Sequence, residues 1–500
     1  MKNLYICKLL YLGQPNNSKW ASSLDSSHAG LQEIRHRILE TEKLKNCFEC
    51  GICTASCSMA EMLGKEYSPR KLLEDIYSNP EKALTSEALW VCAWCYRCHS
   101  RCPQGLKVPE IFLFLRKIAV ERGQTQAFDK ALQRIVKNIP LPLVATFVCY
   151  HPERAGLKNE QVIKRIEQLR EEFVNMRKSR TRKVSKAKIA IIGSGPAGLA
   201  AAYELGKKDY NVTVFEALSQ TGGMLRKGIP QYRLPKKLVI EEIDFIKDLG
   251  VEFKTDTQIG KNLSFEDLEK QGYRAFFVGS GAHKSHKLNI EGADLKGVVD
   301  ALDFLWGANL GKKIEVGSKV AVVGGGNVAV DAARTAHHLG ASEVTIMYRR
   351  SEDEMPANAR EVEDAEQEGV KIEFLVSPKR ILGKNGRVSE IEYVKTRLDE
   401  PDETGRRKAI PIEGSEFKLQ TDEVILAIGE TPNLEFLPKD VELNDDGTLW
   451  INPLTMETTV PGFFGGGDAA TGPASVIEAI RDGKRAAESI ESYLRSTNEE

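Results

Sequence analysis

Hydrophobic residues recur along this chain with two different spacings. In Lys188–Leu205, and again from Lys319 onwards, a short β-branched run meets a group of glycines and continues into an alanine-rich amphipathic stretch. A short apolar run bounded by glycine is typical of a buried strand, and apolar positions at 3.6-residue spacing are typical of a packed helix. The pattern therefore predicts two strand–turn–helix units in the later part of the chain.

Earlier in the chain the apolar residues mostly have helical spacing. The spacing predicts helices over Leu31–Lys45, Ser68–Tyr77, Glu81–Leu89, Pro109–Glu121 and Glu160–Met176. Residues 1 to about 30 are rich in Ser and Asn and are expected to form a loose tail. The basic run Arg177–Lys183 is interpreted as a solvated hinge rather than a nucleic-acid contact, because the chain as a whole is nearly neutral.

The first glycine unit has the features of a nucleotide site. Gly193, Gly195 and Gly198 have G-x-G-x-x-G spacing, which lets the backbone turn tightly and approach a pyrophosphate at the N-terminus of the helix. The next β-rich run ends at Glu216, whose carboxylate can accept hydrogen bonds from ribose hydroxyls. This full order favours a nucleotide site over an ordinary strand–helix turn.

The second glycine unit repeats the turn but ends differently. Its turn residues are Gly324, Gly326, Asn327 and Ala329. Two such units predict two nucleotides. When the units are aligned, Tyr348 takes the place of Glu216 and is followed by Arg349 and Arg350. Two guanidiniums can hold a 2′-phosphate bidentately, so NADP(H) is favoured over NAD(H), with a pair of surface arginines as the alternative.

Eight of the ten cysteines fall in two short runs, Cys47–Cys57 and Cys92–Cys102. Both runs have the spacing C-x2-C-x2-C-x3-C. Three thiolates at this spacing can bind three irons of a [4Fe-4S] cluster while the fourth reaches a neighbouring cluster. We therefore assign one cluster to Cys47, Cys50, Cys53 and Cys102. We assign the other to Cys57, Cys92, Cys95 and Cys98.

Zinc and disulfides are the alternatives for these thiols. Zinc usually takes four ligands in two pairs, and disulfides need no twice-repeated spacing, so both are less favoured. The remaining cysteines, Cys7 and Cys149, are expected to be packed or idle thiols. His99 is expected to have no special role. The aromatic residues near the second run are expected to pack around the clusters: Trp90, Trp94 and Tyr96.

Composition and charge limit the classes of function. The 500 residues are 41% hydrophobic, enough for several cores, and the length suggests about three domains. Lys and Arg number 70 against 71 Asp and Glu, giving a net charge of −1, so no global positive field indicates a nucleic-acid partner. No apolar run approaches the roughly 18 residues of a membrane span, and no signal peptide is expected. The grouped cysteines favour a reducing compartment, and a cytoplasmic location is expected.

The twin cysteine runs on predicted helices, with Cys102–Gly105 after the second, resemble the iron-sulfur electron-transfer subunit of heterodisulfide reductases. The resemblance covers about residues 30 to 125 and implies an all-helical ferredoxin-like module with two [4Fe-4S] clusters. Ser58 stands where such runs often have proline, which leaves the ligands intact.

Five further motifs, in order, resemble the small subunit of glutamate synthase and its relatives in dihydropyrimidine dehydrogenase and bifurcating transhydrogenases. They cover about residues 138 to 495 and include Gln220–Pro235. The resemblance implies that this segment wraps the flavin end of FAD, with these residues near the ring: Gly222, Gly223, Met224 and Leu225. It also implies that Asp468, which follows Gly467, bonds the FAD ribityl chain, and that the next helix points its N-terminus at the flavin.

These observations predict an α/β fold with two Rossmann-like nucleotide-binding domains, the FAD domain interrupted by the NADP domain, preceded by an all-helical iron-sulfur domain. The expected boundaries are a tail over 1–30, the iron-sulfur domain over 31–155, a helix and basic linker over 156–186, the FAD domain over 187–300 and 425–495, and the NADP(H) domain over 301–424.

The cofactor set favours an oxidoreductase that moves electrons between NADPH, FAD and two [4Fe-4S] clusters, to or from an external acceptor such as ferredoxin or another redox protein. A nicotinamide gives up a hydride whereas a cluster accepts one electron, so a flavin is needed between them. Hydride transfer needs alignment and no acid–base side chain, so we name no catalytic residue. The alternatives are an electron-input subunit of a larger complex, glutamate synthase-like or heterodisulfide reductase-like, and a non-enzymatic redox-sensing adaptor. A flavoprotein thiol–disulfide reductase is disfavoured because no cysteine follows Cys149.

Overall fold

The structure is a computed structural model, and it describes residues 34–41, 43–178, 187–312, 314–401 and 407–497. The predicted tail over residues 1 to 30, the start of the Leu31–Lys45 helix and most of the basic run Arg177–Lys183 lie outside the described residues. Within the described ranges, no helix is long and apolar enough to cross a membrane.

The described residues ahead of Lys188 are helical and contain no strand. After short helical segments at Arg37–Thr41 and Leu44–Asn46, the α-helices are Ile52–Ala55, Ser58–Leu63, Pro69–Ser78, Pro80–Leu84, Ala88–Val91, Arg97–Ser100, Val108–Glu121, Gln126–Asn138, Pro142–Ala145 and Asn159–Lys178. This region therefore has the predicted all-helical character.

The single helix predicted over Glu81–Leu89 is wrong. The structure has two helices there, Pro80–Leu84 and Ala88–Val91. Thr85 ends the first of them, and its hydroxyl donates to the carbonyl of Lys82 at 3.0 Å, a local bond that competes with continuation of the helix. The break turns the second helix so that it ends directly at the second cysteine run.

From Lys188 onwards the described chain forms strands and helices in alternation. The strands are β1 Lys188–Ile192, β2 Asn211–Phe215, β3 Glu252–Lys254, β4 Tyr273–Val278, β5 Lys284–Ser285, β6 Val298–Asp300, β7 Lys319–Val323, β8 Glu343–Tyr348, β9 Lys371–Phe374, β10 Val376–Lys384, β11 Arg387–Pro401, β12 Arg407–Pro411, β13 Phe417–Gln420, β14 Glu423–Leu426, β15 Glu430–Thr431 and β16 Phe463–Gly465.

The first sheet is parallel, with the strand order β16-β4-β1-β2-β3. Strand β16 comes from near the end of the described chain and pairs with β4, with Phe463 opposite Phe276. The chain therefore leaves this sheet after β4 and returns to it much later, as expected for an interrupted domain. Its helices are Pro196–Lys207, Met224–Lys227, Lys236–Asp248, Phe265–Lys270, Asp468–Thr471 and Val476–Ser496.

The second parallel sheet is inserted between the two halves of the first. Its order is β6-β14-β7-β8-β9, and its helices are Ala301–Asn309, Asn327–His338 and Ala359–Gln367. Strands β10 to β13 form an antiparallel sheet beside it, and β5 pairs with β15 where the chain crosses between the two domains. The predicted α/β fold with two Rossmann-like units and a helical module is confirmed.

The helical module shares a continuous hydrophobic core with the first sheet and its helices. Glu242 lies fully buried at this junction, where it accepts the N–H groups of Leu143 and Val144 at 2.9 and 3.2 Å and pairs with Arg170. The module is thus packed on the domain of the first sheet and not merely tethered to it. We call helix Val476–Ser496, which closes this domain, the closing helix.

Candidate cofactor sites

A cavity of about 1080 Å³ lies where the helical module and the two sheets meet. We call it the central cavity. Its lining includes Cys95 from the second cysteine run, the glycine turn after β1, and Asp331 from the helix after β7. This volume is at the upper end of the roughly 300–1,000 Å³ of ordinary small-molecule sites, so it has room for an extended ligand.

The turn after β1 leaves its backbone open to the central cavity. Gly193 has φ +98°, and a side chain there would place its Cβ 2.6 Å from the carbonyl oxygen of Gly279. At Gly198 a Cβ would lie 2.0 Å from the carbonyl oxygen of Gly193. Only glycine fits either position. The Pro196–Lys207 helix consequently starts close to the turn, as a pyrophosphate site requires.

Glu216 follows β2, lines the central cavity and is 7% exposed. Its Oε2 accepts the N–H of Ser194 at 3.1 Å and the Ser194 hydroxyl at 2.5 Å, while its Oε1 accepts the N–H of Leu218 at 2.9 Å. These donors hold the carboxylate at the strand end, where a ribose was predicted.

The predicted flavin loop is only partly exposed to the cavity. Gly223 and Met224 line it. Gly222 donates its N–H to the Ser194 hydroxyl at 2.9 Å, and Leu225 is fully buried in the core. Gly222 and Leu225 therefore support the loop, whereas Gly223 and Met224 face the space where a ring could lie.

The chain's return to the first sheet supplies another wall of the cavity. Gly467 donates its N–H to the buried Asp482 at 3.1 Å, and Asp468 accepts the N–H of Ala474 at 3.2 Å. Burial raises the pKa of Asp468 to about 6. Ser475 caps the closing helix in a reciprocal capping box with Glu478, so the positive end of the helix faces the cavity.

The second glycine turn lies at the other end of the cavity. Asn327 lines it, and Asn327 Oδ1 accepts the N–H of Asn358 at 2.8 Å, which ties two lining loops together. The turn behind it is formed by Gly324, Gly326 and Ala329. At Gly324 a Cβ would lie 2.1 Å from the carbonyl oxygen of Ala427.

Arg349 and Arg350 directly follow β8, as the alignment of the two units predicts. Arg349 is exposed, and Nε of the half-buried Arg350 donates to the carbonyl of Arg407 at 2.8 Å. Neither is part of the central cavity lining in the described chain, whereas the next residues, Glu352 and Asp353, are. The pair therefore lies just beyond the rim of the cavity.

Several lining residues were not predicted from the sequence. Burial, with Asp300 and Asp468 nearby, raises the pKa of Glu430 to about 7. Burial, with Lys227 nearby, lowers the pKa of His283 to about 4. His99 and Cys149 also line the cavity, although the sequence suggested no role for either. Glu430 lies in Asp422–Asn433, inside the region that resembles the glutamate synthase small subunit, so its position was the available signal.

The first predicted cysteine group comes together in the structure. A small cavity is lined by four cysteines from both runs, Cys47, Cys50, Cys53 and Cys102. Cys50 is exposed, and the neighbouring Phe48 side chain is 69% exposed. This group therefore lies at the protein surface.

The second predicted group lies deeper. Burial raises the pKa of Cys57 to about 12, and the nearby Cys92 and Cys95 thiols act in the same direction. Burial also raises the pKa of Cys98, and the thiols of Cys92, Cys95, Cys57 and Cys53 act in the same direction. The assignment of the eight thiols to two clusters stays a prediction. Across the described ranges, no three His, Cys, Asp or Glu side chains converge tightly enough to hold a single metal ion.

The second cysteine run also borders the central cavity. Cys95 lines it together with Trp94 and Tyr96, opposite Ser475 and Ile477 of the closing helix. The two nucleotide folds, this cavity and the thiol-rich helical module define the class of the protein. It is an oxidoreductase that binds FAD and NADP and carries an iron-sulfur module.

Comparison with known families agrees with this class. The family described as pyridine nucleotide-disulphide oxidoreductase matches residues 187–483, more than half of the chain, and the family described as 4Fe-4S dicluster domain matches residues 43–106. The chain belongs to the pyridine nucleotide-disulphide oxidoreductase family, with an iron-sulfur dicluster domain fused ahead of it.

Curated relatives align with this chain over part of their length. The chain is 46% identical over 314 residues to the NADP(+)-dependent formate dehydrogenase subunit beta of Moorella thermoacetica, covering 62% of the chain and 44% of that protein. It is 39% identical over 436 residues to the NADPH-Fe(3+) oxidoreductase subunit beta of Geobacter sulfurreducens, covering 79% of the chain and 63% of that protein. The chain thus spans about half to two thirds of the length of these relatives.

The resemblance to the glutamate synthase small subunit is confirmed. The chain is 38% identical over 326 residues to the glutamate synthase [NADPH] small chain of Escherichia coli, covering 61% of the chain and 68% of that protein. Among solved structures, Mycobacterium tuberculosis FprA in complex with NADPH aligns with a TM-score of 0.53 at 21% identity, covering 63% of the chain and 86% of FprA. That likeness shows the fold.

Proposed function

We propose that this protein transfers electrons between NADPH and an external one-electron partner, such as ferredoxin, through FAD and two [4Fe-4S] clusters. The observation that carries the proposal is the shared central cavity. Cys95 and Trp94 of the second cysteine run line the same space as Gly195 and the start of the closing helix. A flavin bound there would lie against the cluster-binding segment, without a further carrier between them.

Bound flavin supplies the conversion between two-electron hydride transfer and one-electron transfer. The residues of the chain bind, orient and exclude water. Gly193 and Gly195 present backbone to the cavity where the pyrophosphate would bind, Gly198 lets the helix pack against this turn, and Glu216 is held for the ribose by Ser194. The N-terminus of the closing helix favours negative charge on its ligand. No acid–base residue is required for these tasks.

The cysteines suggest a spatial order for the clusters. The group with Cys57, Cys92, Cys95 and Cys98 borders the central cavity, so it is proposed to exchange electrons with the flavin. The group with Cys47, Cys50, Cys53 and Cys102 lies at the surface beside exposed Phe48, so it is proposed to exchange electrons with the external partner. Both donor sets consist of thiols only, as cubane clusters prefer.

NADPH is the proposed nicotinamide. Arg349 and Arg350 lie at the end of β8, where a 2′-phosphate is expected. The names of the Geobacter and Escherichia relatives specify NADPH, and that of the Moorella relative specifies NADP(+).

An anaerobic titration of the purified protein with NADPH tests the proposal. Flavin absorbance should bleach, and the EPR signals of reduced clusters should appear, in a sample whose iron and sulfide contents match two [4Fe-4S] clusters. If the clusters stay oxidised in the presence of NADPH, chemically reduced ferredoxin is added to the same sample. If reduced ferredoxin also fails to reduce them, or if iron is absent, the proposed path is wrong.

A second candidate function is the electron-input subunit of a larger complex. It is favoured by the names of the relatives, each of which is called a subunit beta or a small chain. It is also favoured because the chain spans only part of the Moorella and Geobacter relatives. The substrate site would then belong to a partner protein. Rapid NADPH-dependent reduction of free ferredoxin by the isolated chain would count against this alternative, whereas turnover only after addition of a defined partner subunit would favour it.

A further inference from the structure

Arg116 carries a buried positive charge, and no carboxylate among the described residues forms an ion pair with it. The residue is 1% exposed, in the Val108–Glu121 helix. Its guanidinium donates to three backbone carbonyls: Nε to Leu89 at 2.9 Å, Nη2 to Cys92 at 2.7 Å and Nη1 to Tyr150 at 3.3 Å. The ionisable side chains that interact electrostatically with its guanidinium are Cys92, Tyr67 and Tyr150, and none of them is a carboxylate.

Other deeply buried arginines of the described chain are paired differently. Arg170 forms an ion pair with Glu242, and Arg334 forms one with Glu361 at 2.8 Å. A buried ion without a counter-charge costs several kcal/mol. Carbonyl dipoles satisfy three of the five N–H groups of Arg116 but supply no net negative charge. The chain therefore holds a cation directly beside Cys92 whose natural counter-ion would be a thiolate-bound cluster.

Tyr67 provides a second, independent observation at the same thiol. The side chain is buried, and its hydroxyl has no hydrogen-bond partner among the described residues. The Cys92 thiol lies next to that hydroxyl and is the acceptor it would use. A buried hydroxyl without a partner is costly, and a metal-bound thiolate at Cys92 would accept its hydrogen bond.

We propose that Arg116 and Tyr67 are positioning residues that raise the reduction potential of the cluster held by Cys57, Cys92, Cys95 and Cys98. The inference rests on the proposed function, since it requires that cluster. Reduction adds one negative charge to a cluster, and cluster potentials respond to net charge and to hydrogen bonds to the sulfurs. A fixed guanidinium and a hydroxyl donor both stabilise the more negative, reduced form. They make this cluster easier to reduce than it would be without them.

EPR-monitored redox titrations of the purified full chain test this inference. In Arg116→Gln, the reduction potential of one of the two clusters should fall by at least about 59 mV. For one electron this corresponds to a tenfold decrease in the equilibrium constant for reduction. Arg116→Lys keeps the charge and should recover most of the shift. Tyr67→Phe should lower the reduction potential of the same cluster by a smaller amount. The matched controls Arg134→Gln and Tyr77→Phe change the same groups on half-exposed residues of the module and should leave both potentials unchanged.

The outcomes separate this inference from the proposed function. If the unmodified protein lacks iron and sulfide, both are wrong. If it carries both clusters but Arg116→Gln and Tyr67→Phe leave the potentials unchanged, or shift both signals equally, only this inference is overturned. If Arg116→Gln does not retain its clusters, the reduction potentials of Tyr67→Phe decide the question. A lowered potential of one cluster in that variant supports the inference, and unchanged potentials overturn it.

Discussion

Arg97 forms an ion pair with Glu478. Arg97 lies between Cys95 and Cys98, whereas Glu478 completes the capping box at the start of the closing helix. Both side chains are largely buried, at 25% and 15% exposure. One ion pair thus connects the second cysteine run to the helix whose N-terminus faces the central cavity, which couples the positions of the two proposed electron carriers.

We expect Glu478→Gln to slow electron transfer from flavin to cluster without loss of FAD. Glutamine can keep the capping box with Ser475 but cannot pair with the charge of Arg97. A small displacement of the cysteine run should slow the transfer by up to about tenfold. Stopped-flow absorbance after mixing with NADPH resolves flavin reduction from cluster reduction. Glu491→Gln, on the same helix, is the control. Equal rates in all three proteins would mean that the ion pair does not set this geometry.

Arg349→Ala combined with Arg350→Ala should weaken NADPH binding and leave NADH binding nearly unchanged. Hydrogen bonds to a charged group contribute about 1.5–3 kcal/mol, so the Kd of NADPH should rise about tenfold or more. Calorimetric titration of the oxidised protein with NADP+ and with NAD+, which do not reduce the flavin, measures the effect of the 2′-phosphate on Kd. The exposed Arg397, on β11, provides the control variant Arg397→Ala. Similar losses for both nucleotides would remove the case for a 2′-phosphate site.

Cys50→Ser should spare reduction of the flavin by NADPH but block electron delivery to ferredoxin. Cys50 is the exposed member of the surface group, so its loss should disable the outer cluster and leave the inner one bound. Iron content and EPR should report the loss of one cluster. The control is Cys149→Ser, which changes a thiol outside both predicted groups and should retain all iron. Undiminished ferredoxin reduction by Cys50→Ser would place the outer cluster outside the path.

Glu368→Gln should destabilise the protein near neutral pH and have little effect in strong acid. Burial opposes ionisation of Glu368, but hydrogen bonds from His338 and Arg334 outweigh it and lower its pKa to about 2. A carboxylate with a lowered pKa contributes stability that is present above its unfolded pKa of 4.5 and is lost as the pH falls towards 2.

Chemical denaturation of the two proteins at several pH values measures this contribution. We expect a difference in the free energy of unfolding of about 1.5–3 kcal/mol at pH 7 that shrinks between pH 4.5 and 2. Glu363→Gln, which removes an exposed carboxylate of the helix that ends at Glu368, should show a much smaller difference. A constant difference across the whole pH range would show that the ionised form of Glu368 is not what stabilises the fold.

Much of the candidate site could be predicted because it depends on short stretches of chain. The turn at Gly193 and Gly198, the acid at Glu216 and the cysteine spacing each lie within about 30 residues, and local backbone geometry limits what such patterns can form. The spacing also predicted that Cys102 of the second run lies with Cys47, Cys50 and Cys53, and these four thiols line one small cavity. The break at Thr85 was missed because a single hydroxyl-bearing residue ended a helix whose apolar spacing continued.

Contacts between distant segments could not be predicted in this way. Arg154 of the helical module pairs with Glu361 and Asp364 of the second sheet's domain, each at 2.8 Å, and Arg233 pairs with Asp331. No local pattern marks these residues, because each is an ordinary charged residue whose partner lies about a hundred or more positions away. Burial of the pairs fixes how the nucleotide domains and the helical module meet.

The sequence by itself determined the two glycine turns, the two cysteine runs and the α/β class, because each requires particular residue types at short, fixed spacing. Only the tertiary structure decided that Cys95 faces the central cavity, that Arg97 meets Glu478, and that Arg116 is buried beside Cys92 with no paired carboxylate among the described residues. The reason is physical. Backbone geometry acts over a few residues, whereas burial and the balance of buried charge depend on which distant segments pack together.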